Sequence, residues 1–355
     1  MKTVFFMSNK PYTGRNVLAL ALGMNLKDRG LKVGYTKVLG KIPIKVGDTV
    51  VDEEALFIHK MLGCEEPVQI CSPVVLTYEL EYKMFEEDEV NLKDKVVQAV
   101  KTLEGSKDVL LMVGPDNIFE GYSLGIDSLK LVKELGCKVL VVQSWEGETS
   151  VDDILGIREL VKDAFIGTVI NKVVPEEFLH IKEEVVPFLQ AKGVEVYGVF
   201  KKDKLLEAVT IRRLVEVVGG GVICCEDKLD DYVENISVGA MDPDNALKYF
   251  LKVPNKVVIT GVHRTDIQLM ALETSTKCLI LTGGLHPSEL VVNLAKTKCV
   301  PIIVTVLDTF SVAEKIQNLM GKTIVKEEFK AKRAKEVLSK GFDIEKFLRV
   351  LNLKT

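Results

Sequence analysis

The sequence predicts an α/β protein in two parts, a doubly wound, mostly parallel sheet followed by a smaller α/β domain and a helical C-terminal tail. Three observations carry that expectation. Short, wholly apolar runs recur, such as DVLLMVG at 108–114, the kind found on strands buried on both faces. Amphipathic runs of helical period lie between them, an alternation that implies βαβ units. Gly219, Gly220 and Gly221 interrupt the pattern, after which it starts again.

The bulk numbers suit such a chain. At 355 residues it has room for two cores, with 47% hydrophobic and 28% charged residues. A net charge of −4 favours neither nucleic acid nor an anionic membrane. No apolar stretch approaches the ~18 residues of a membrane span, and the first residues are too brief for a signal peptide. Seven cysteines form no metal-type cluster and four histidines are scattered, so reduced thiols, no metal cluster and a cytoplasmic protein are expected.

In order, an apolar strand at 3–7 leads through a polar loop into a helix at 17–29, which Gly30 ends. A strand is expected at 32–38 and a loop at 40–51. A helix at 52–62 has a carboxylate-rich first turn, favourable at a helix N-terminus. Residues from 72 read as less regular, with an acidic patch at 86–89 as a solvated turn. Helices follow at 91–103, 128–135, 152–162 and 176–191, where Pro187 is expected to bend or split the last one. Strands are expected at 108–114, 138–143, 164–171 and 194–200. Residues 205–218 read as a connection. The second part has strands at 221–225, 256–260, 278–281 and 301–306 and helices at 246–251, 265–272, 289–297 and 309–319. The Lys-rich segment 326–340 is strongly helix-forming and reads as a solvated face. The expected domains are therefore 1–205, a linker at 206–222, 223–325, and the tail at 326–355.

The loop at 8–16, SNKPYTGRN, lies between strand and helix, the context of a phosphate-binding P-loop. Such a loop wraps backbone N–H groups around phosphate, and the helix dipole assists. The usual pattern ends in Gly, Lys and Ser/Thr, with Lys on the terminal phosphates and the hydroxyl on Mg²⁺. Here Thr13 and Gly14 are followed by Arg15, a wide planar fork, and Asn16, a weak metal ligand. Lys10 has the spacing of the extra lysine in the deviant P-loop of MinD-like ATPases. Ligands of doubly wound sheets bind at the C-terminal strand ends, which would bring this loop, Lys37 and Asn171 to one crevice.

With SNKPYTGRN, GYTKVLGK at 34–41, DEEA at 52–55, VGPDNIFEGYSLG at 113–125 and GTVINKVVPE at 167–176, the first part resembles the BioD-like region of long bacterial phosphotransacetylases and the P-loop domains of dethiobiotin synthetase and cobyrinic acid a,c-diamide synthase. That resemblance implies ATP or ADP with Mg²⁺, Lys37 at phosphate or substrate, Asp52 or Glu54 at the metal, and Asn171 at the adenine. Relatives carry an acid where this chain has Val113. With SVGAMDPDNALKYF at 237–250, GVHRTD at 261–266, LTGGLHP at 281–287 and PIIVTVLDTFSVAEKI at 301–316, the second part resembles a DRTGG domain. This implies a ligand-sensing or dimerising module, with His263, Arg264, Thr265, Asp266, Thr282, Gly283 and Gly284 facing an adenine nucleotide or another small anion. No acetyltransferase region is expected after the DRTGG-like part.

Three departures, at Arg15, Asn16 and Val113, point to a regulator, a homodimer with a degenerate P-loop, linked to acetyl-phosphate or acetyl-CoA metabolism. An ATP-dependent ligase, with Lys37 as its catalytic lysine, and a docking scaffold for a phosphotransacetylase-like enzyme are the alternatives.

Overall fold

The computed structural model describes residues 1–86, 91–321 and 324–353. The acidic patch expected at 86–89 lies outside the described residues, apart from the backbone of Glu86. Two compact units are present, Met1–Asp203 with Ile324–Thr355, and Lys204–Thr323.

The first unit is built on six strands, β1 (Lys2–Met7), β2 (Val33–Lys37), β3 (Val109–Val113), β4 (Lys138–Ser144), β5 (Phe165–Val173) and β6 (Val196–Lys201). They lie in the order β6-β5-β4-β1-β3-β2, and every pairing is parallel. Register aligns Phe6 of β1 and Lys37 of β2 with Val113 of β3, so their C-terminal ends open on one edge. Helices α1 (Arg15–Asp28), α2 (Glu53–Met61), α3 (Tyr78–Glu86), α4 (Lys93–Leu103), α5 (Ser128–Leu135), α6 (Thr149–Val161) and α7 (Val186–Ala191) connect or flank them. The apolar strands bury residues toward both faces, which is why β3 reads as an unbroken apolar run.

Two local readings change. Residues 43–46 and 49–52 form an antiparallel hairpin inside the expected loop, and 78–86 is helical. At Pro187 the helix is not split. A π-helical stretch, Ile181–Val185, precedes α7 and absorbs the register shift made where proline lacks an N–H.

The second unit holds β7 (Gly221–Cys224), β8 (Asn235–Val238), β9 (Lys256–Gly261), β10 (Thr276–Thr282) and β11 (Ile302–Thr305), with α8 (Ile211–Val218), α9 (Pro243–Lys252), α10 (Thr265–Leu272), α11 (Glu289–Lys298) and α12 (Thr309–Leu319). Strand order is β7-β11-β10-β9-β8, antiparallel only at β7–β11. Residues 206–222, read as a linker, lie within this unit. Val209 and Thr210 pair with Val233 and Tyr232, and Ile211, Leu214 and Val218 of α8 are buried in its core. Their apolar stripe is a core-facing helix surface, and the unit would lose one cover of its sheet without it.

After the second unit the chain returns. Helices α13 (Glu328–Gly341) and α14 (Ile344–Leu351) belong to the first unit, where the sequence suggested a tail. The Lys-rich helix α13 packs along α1, burying Ala331, Ala334 and Leu338, and even Lys330 is only 4% exposed. This second cover explains why α1 is buried without a break from Val17 to Gly23. Phe342 stacks on Tyr197 with centroids 5.5 Å apart, and Phe347 meets Tyr197 edge-on at 5.6 Å. Such pairs add about 0.5–1.5 kcal/mol to the burial of their area. Among the described residues no helix is long and apolar enough to cross a membrane.

Candidate functional site

The 8–14 loop leaves β1 and delivers Gly14 as the N-cap of α1, at φ 97° and with no side-chain capping bond. The first turn of α1 carries no acid, so its leading N–H groups and dipole face the loop without a competing negative charge. Thr13 is fully buried and its Oγ1 has no hydrogen-bond partner. Asn171, at the end of β5, donates from Nδ2 to the Thr13 carbonyl at 2.9 Å. The left-handed Gly14, the uncapped helix start and the orphaned hydroxyl fit a phosphate group.

Arg15 does not extend into that cradle. Its guanidinium is 5% exposed and turns beneath the loop after β3. Nη1 donates to Gly114 O at 2.9 Å and also to Pro115 O, and Nη2 meets Asp116 Oδ1 at 2.7 Å. Burial pulls the guanidinium below its ordinary pKa, with Asp116 opposing. The carboxyl of Asp116 would rise on burial, but Arg15 and Lys41 hold it below the usual range. Lys41 bridges Asp116 at 2.6 Å and Glu120 at 2.5 Å.

A second network surrounds Lys37. Its Nζ meets Asp52 Oδ1 at 3.0 Å and Glu54 Oε2 at 3.2 Å. Burial works against the ammonium, yet Glu54 and Asp52 raise its pKa. Asp52 is wholly buried. Its Oδ1 also caps α2 through Ala55 N–H, and its Oδ2 accepts the Lys41 and Ile42 amides. Glu54 Oε2 accepts Asn16 Nδ2 at 2.6 Å, and Glu54 Oε1 accepts the Val325 amide at 3.0 Å. Tyr35 donates to Asn16 Oδ1 at 3.3 Å. At the loop's other side Lys10 pairs with Glu146 at 2.7 Å, and Asn9 donates to Asp153 at 2.9 Å.

The structure therefore brings Lys10, Thr13, Gly14, Arg15, Asn16, Lys37, Asp52, Glu54 and Asn171 to one sheet edge. Asp52 and Glu54, the metal candidates, are each held by ammonium and N–H donors, which occupy the oxygens that a magnesium ion would need. Sequence reading passed over Lys41, Asp116, Glu120, Glu146 and Asp153. The signal was present in PDNIFE, where two carboxylates follow the strand that ends in Val113. The first acid after β3 is Asp116, in the loop three residues past Val113.

In the second unit, Gly261 and Thr282 are register partners on β9 and β10, which sets their following loops side by side. Arg264 and Asp266 form an ion pair at 2.9 Å, both partly exposed, and Arg264 also donates to Met241 O. His263 is exposed and Thr265 begins α10. Thr282 shares a hydrogen bond with Thr309 at 2.8 Å, and Gly283 and Gly284 have φ of 100° and 70°. Gln268, not singled out in sequence, is buried behind this loop. Its amide donates to Gly261 O and Val262 O, and its Oε1 has no partner.

Comparison with known proteins adds to this geometry. An AAA domain family matches residues 2–210, and a DRTGG domain matches residues 213–319. The uncharacterized protein YtoI of Bacillus subtilis is 30% identical over 128 residues, covering 36% of this chain and 28% of that protein. The ATP-dependent dethiobiotin synthetase BioD of Methanocaldococcus jannaschii is 22% identical over 209 residues, 56% of this chain and 93% of that protein. Among solved structures, the CBS and DRTGG domains of the regulatory region of Clostridium perfringens pyrophosphatase, complexed with the activator diadenosine tetraphosphate, are similar at 20% identity. That match covers 44% of this chain and 76% of the other, with a TM-score of 0.30.

Proposed function

The chain belongs to the AAA domain family, with a BioD-like P-loop unit followed by a DRTGG domain, and from that premise we propose that it is a regulatory, nucleotide-sensing protein. In this reading the loop at 8–14 binds the phosphates of ATP or ADP with slow or no turnover, and the DRTGG unit senses an adenine nucleotide or a similar small anion. The observation that carries the reading is Arg15. At the position of the phosphate-binding lysine its donors are on Gly114, Pro115 and Asp116, while Lys37 is held by Asp52 and Glu54. Removal of several groups that stabilise transition-state charge costs orders of magnitude in rate, whereas backbone N–H groups suffice for binding. A homodimer and a link to acetyl-phosphate or acetyl-CoA metabolism complete the proposal.

The test is calorimetry and turnover on the full chain with Mg-ATP, ADP, AMP and acetyl-CoA. Adenine nucleotide binding with turnover far below the ordinary enzyme range of about 1–10³ s⁻¹ supports the reading. Turnover within that range, abolished by Lys37→Ala, would instead support a second reading, an ATP-dependent ligase. That alternative is favoured by one fact, that the similarity to the synthetase extends over 93% of its length.

A further inference from the structure

The far end of α2 holds a cluster that the loop chemistry does not use. Gly63, at φ 54°, ends the helix. Its N–H donates to Lys60 O at 2.9 Å, and the Cys64 N–H donates to His59 O at 3.0 Å. This pair of bonds is a Schellman cap, which sets the third-last helical residue beside the second residue past the cap. An apolar contact commonly seals that spot. Here it is occupied by His59 and Cys64, and the chain then brings back Glu66.

One ligand atom from each of His59, Cys64 and Glu66 lies within 4.8 Å of the others. His59 is 5% exposed, and its Nε2 has no hydrogen-bond partner. Glu66 Oε2 is 3.9 Å from that nitrogen, beyond hydrogen-bonding reach. A buried imidazole nitrogen left unpaired costs about 1–3 kcal/mol, so this one faces a position that a ligand would fill.

We propose that His59, Cys64 and Glu66 form a binding site for a divalent transition-metal ion, with zinc the ion that this nitrogen, sulfur and oxygen set favours. Ligand atoms of a tetrahedral zinc lie about 3.5 Å apart, so closure needs side-chain movements of about 1 Å. Three protein ligands leave a fourth position for water. Lys107 pairs with Glu66 Oε1. On binding, the metal takes over that neutralising role, the ammonium swings outward on its long stem, and the Cys64 thiol gives its proton to solvent. The ion would fasten the C-terminal end of the helix whose first turn carries Glu54.

The experiment is titration of the metal-stripped full chain with Co²⁺. One equivalent is expected to bind, with thiolate-to-cobalt charge-transfer absorption in the near ultraviolet, and Zn²⁺ is expected to displace it. Cys64→Ser should abolish the band, and His59→Gln should weaken binding at least tenfold. Lys107→Met removes the ammonium that competes for Glu66 while all three ligand side chains are kept, and should tighten binding several-fold, which keeps the idea testable if a ligand variant fails to fold. Absence of the band in the wild-type chain, its survival in Cys64→Ser, or no tightening in Lys107→Met overturns the site.

Discussion

Asn171 stands where a side chain on Gly14 would have to go. A Cβ built on Gly14 would lie 2.4 Å from Asn171 Nδ2, and the same nitrogen holds the Thr13 carbonyl at 2.9 Å. The end of β5 thus shapes the loop after β1 from two strands away.

Gly14→Ala follows directly. Alanine at φ 97° is strained by about 1–2 kcal/mol and also displaces Asn171. Nucleotide affinity, read by calorimetry, should fall at least tenfold. Gly14→Ala with Asn171→Ala should recover part of the stability, because the clash is gone while the strain remains.

Arg15→Ala separates support from ligand contact. Removing the guanidinium leaves Asp116 partly buried with Lys41 alone, a loss of about 1.5–3 kcal/mol, the scale of a charge-assisted hydrogen bond. If the guanidinium stays on Asp116 in the bound state, ATP affinity should change less than threefold while the denaturation midpoint drops. A loss of affinity beyond tenfold with little loss of stability would contradict this.

Glu54→Ala should loosen two places at once. Glu54 accepts from Lys37 and Asn16 near the loop and from the Val325 amide where the chain returns to the first unit. Lys37 keeps Asp52, so a moderate destabilisation of about 1–3 kcal/mol is expected. Hydrogen exchange should accelerate at Val325. Unchanged protection there would argue that the contact is dispensable.

Phe347→Ala addresses the last helix. Phe347 is fully buried against Tyr197 and Phe342, and truncation of such a ring costs about 3–5 kcal/mol. The loss should fall on the first unit. Protection of β9 and β10 in hydrogen exchange should be unaffected.

Lys256 gives a pH dependence. It is buried at the start of β9, with Thr274 Oγ1 at 2.9 Å, and burial lowers its pKa to about 8 from 10.5. A base whose folded pKa is depressed is penalised while charged. The penalty is whole below about pH 8 and is relieved as pH rises toward 10.5, because there the unfolded chain binds the extra proton. Lys256→Met should therefore be more stable than wild type at pH 7, and its advantage should shrink between pH 8 and 10.5. A constant difference across that range would refute the assignment.

Much of this was legible in residues. The apolar run around Leu111 could only be a strand covered on both faces, and the strand, loop and helix around Gly14 follow from local pattern. Arg264, Asp266, Thr282 and Gly283 stand in short motifs that mark the second unit as DRTGG. The hairpin at 43–52 and strand β8 escaped because they are short and their pairing partners carry the information. Lysine in such a run is ordinarily solvated, and only the packing of α13 against the rest of the first unit buries Lys330.

Periodicity and turn chemistry are local properties of the chain, and they are enough for the class of fold, the two-part organisation and the place of the loop. Only the folded chain decides that Arg15 faces Asp116, that Glu54 holds both Asn16 and the Val325 amide, the latter 271 residues further along the chain, and that His59 meets Glu66. Those are pairings of charge and hydrogen-bond donors over long separations. Their energies depend on burial and distance, and neither exists until the strands have aligned their ends.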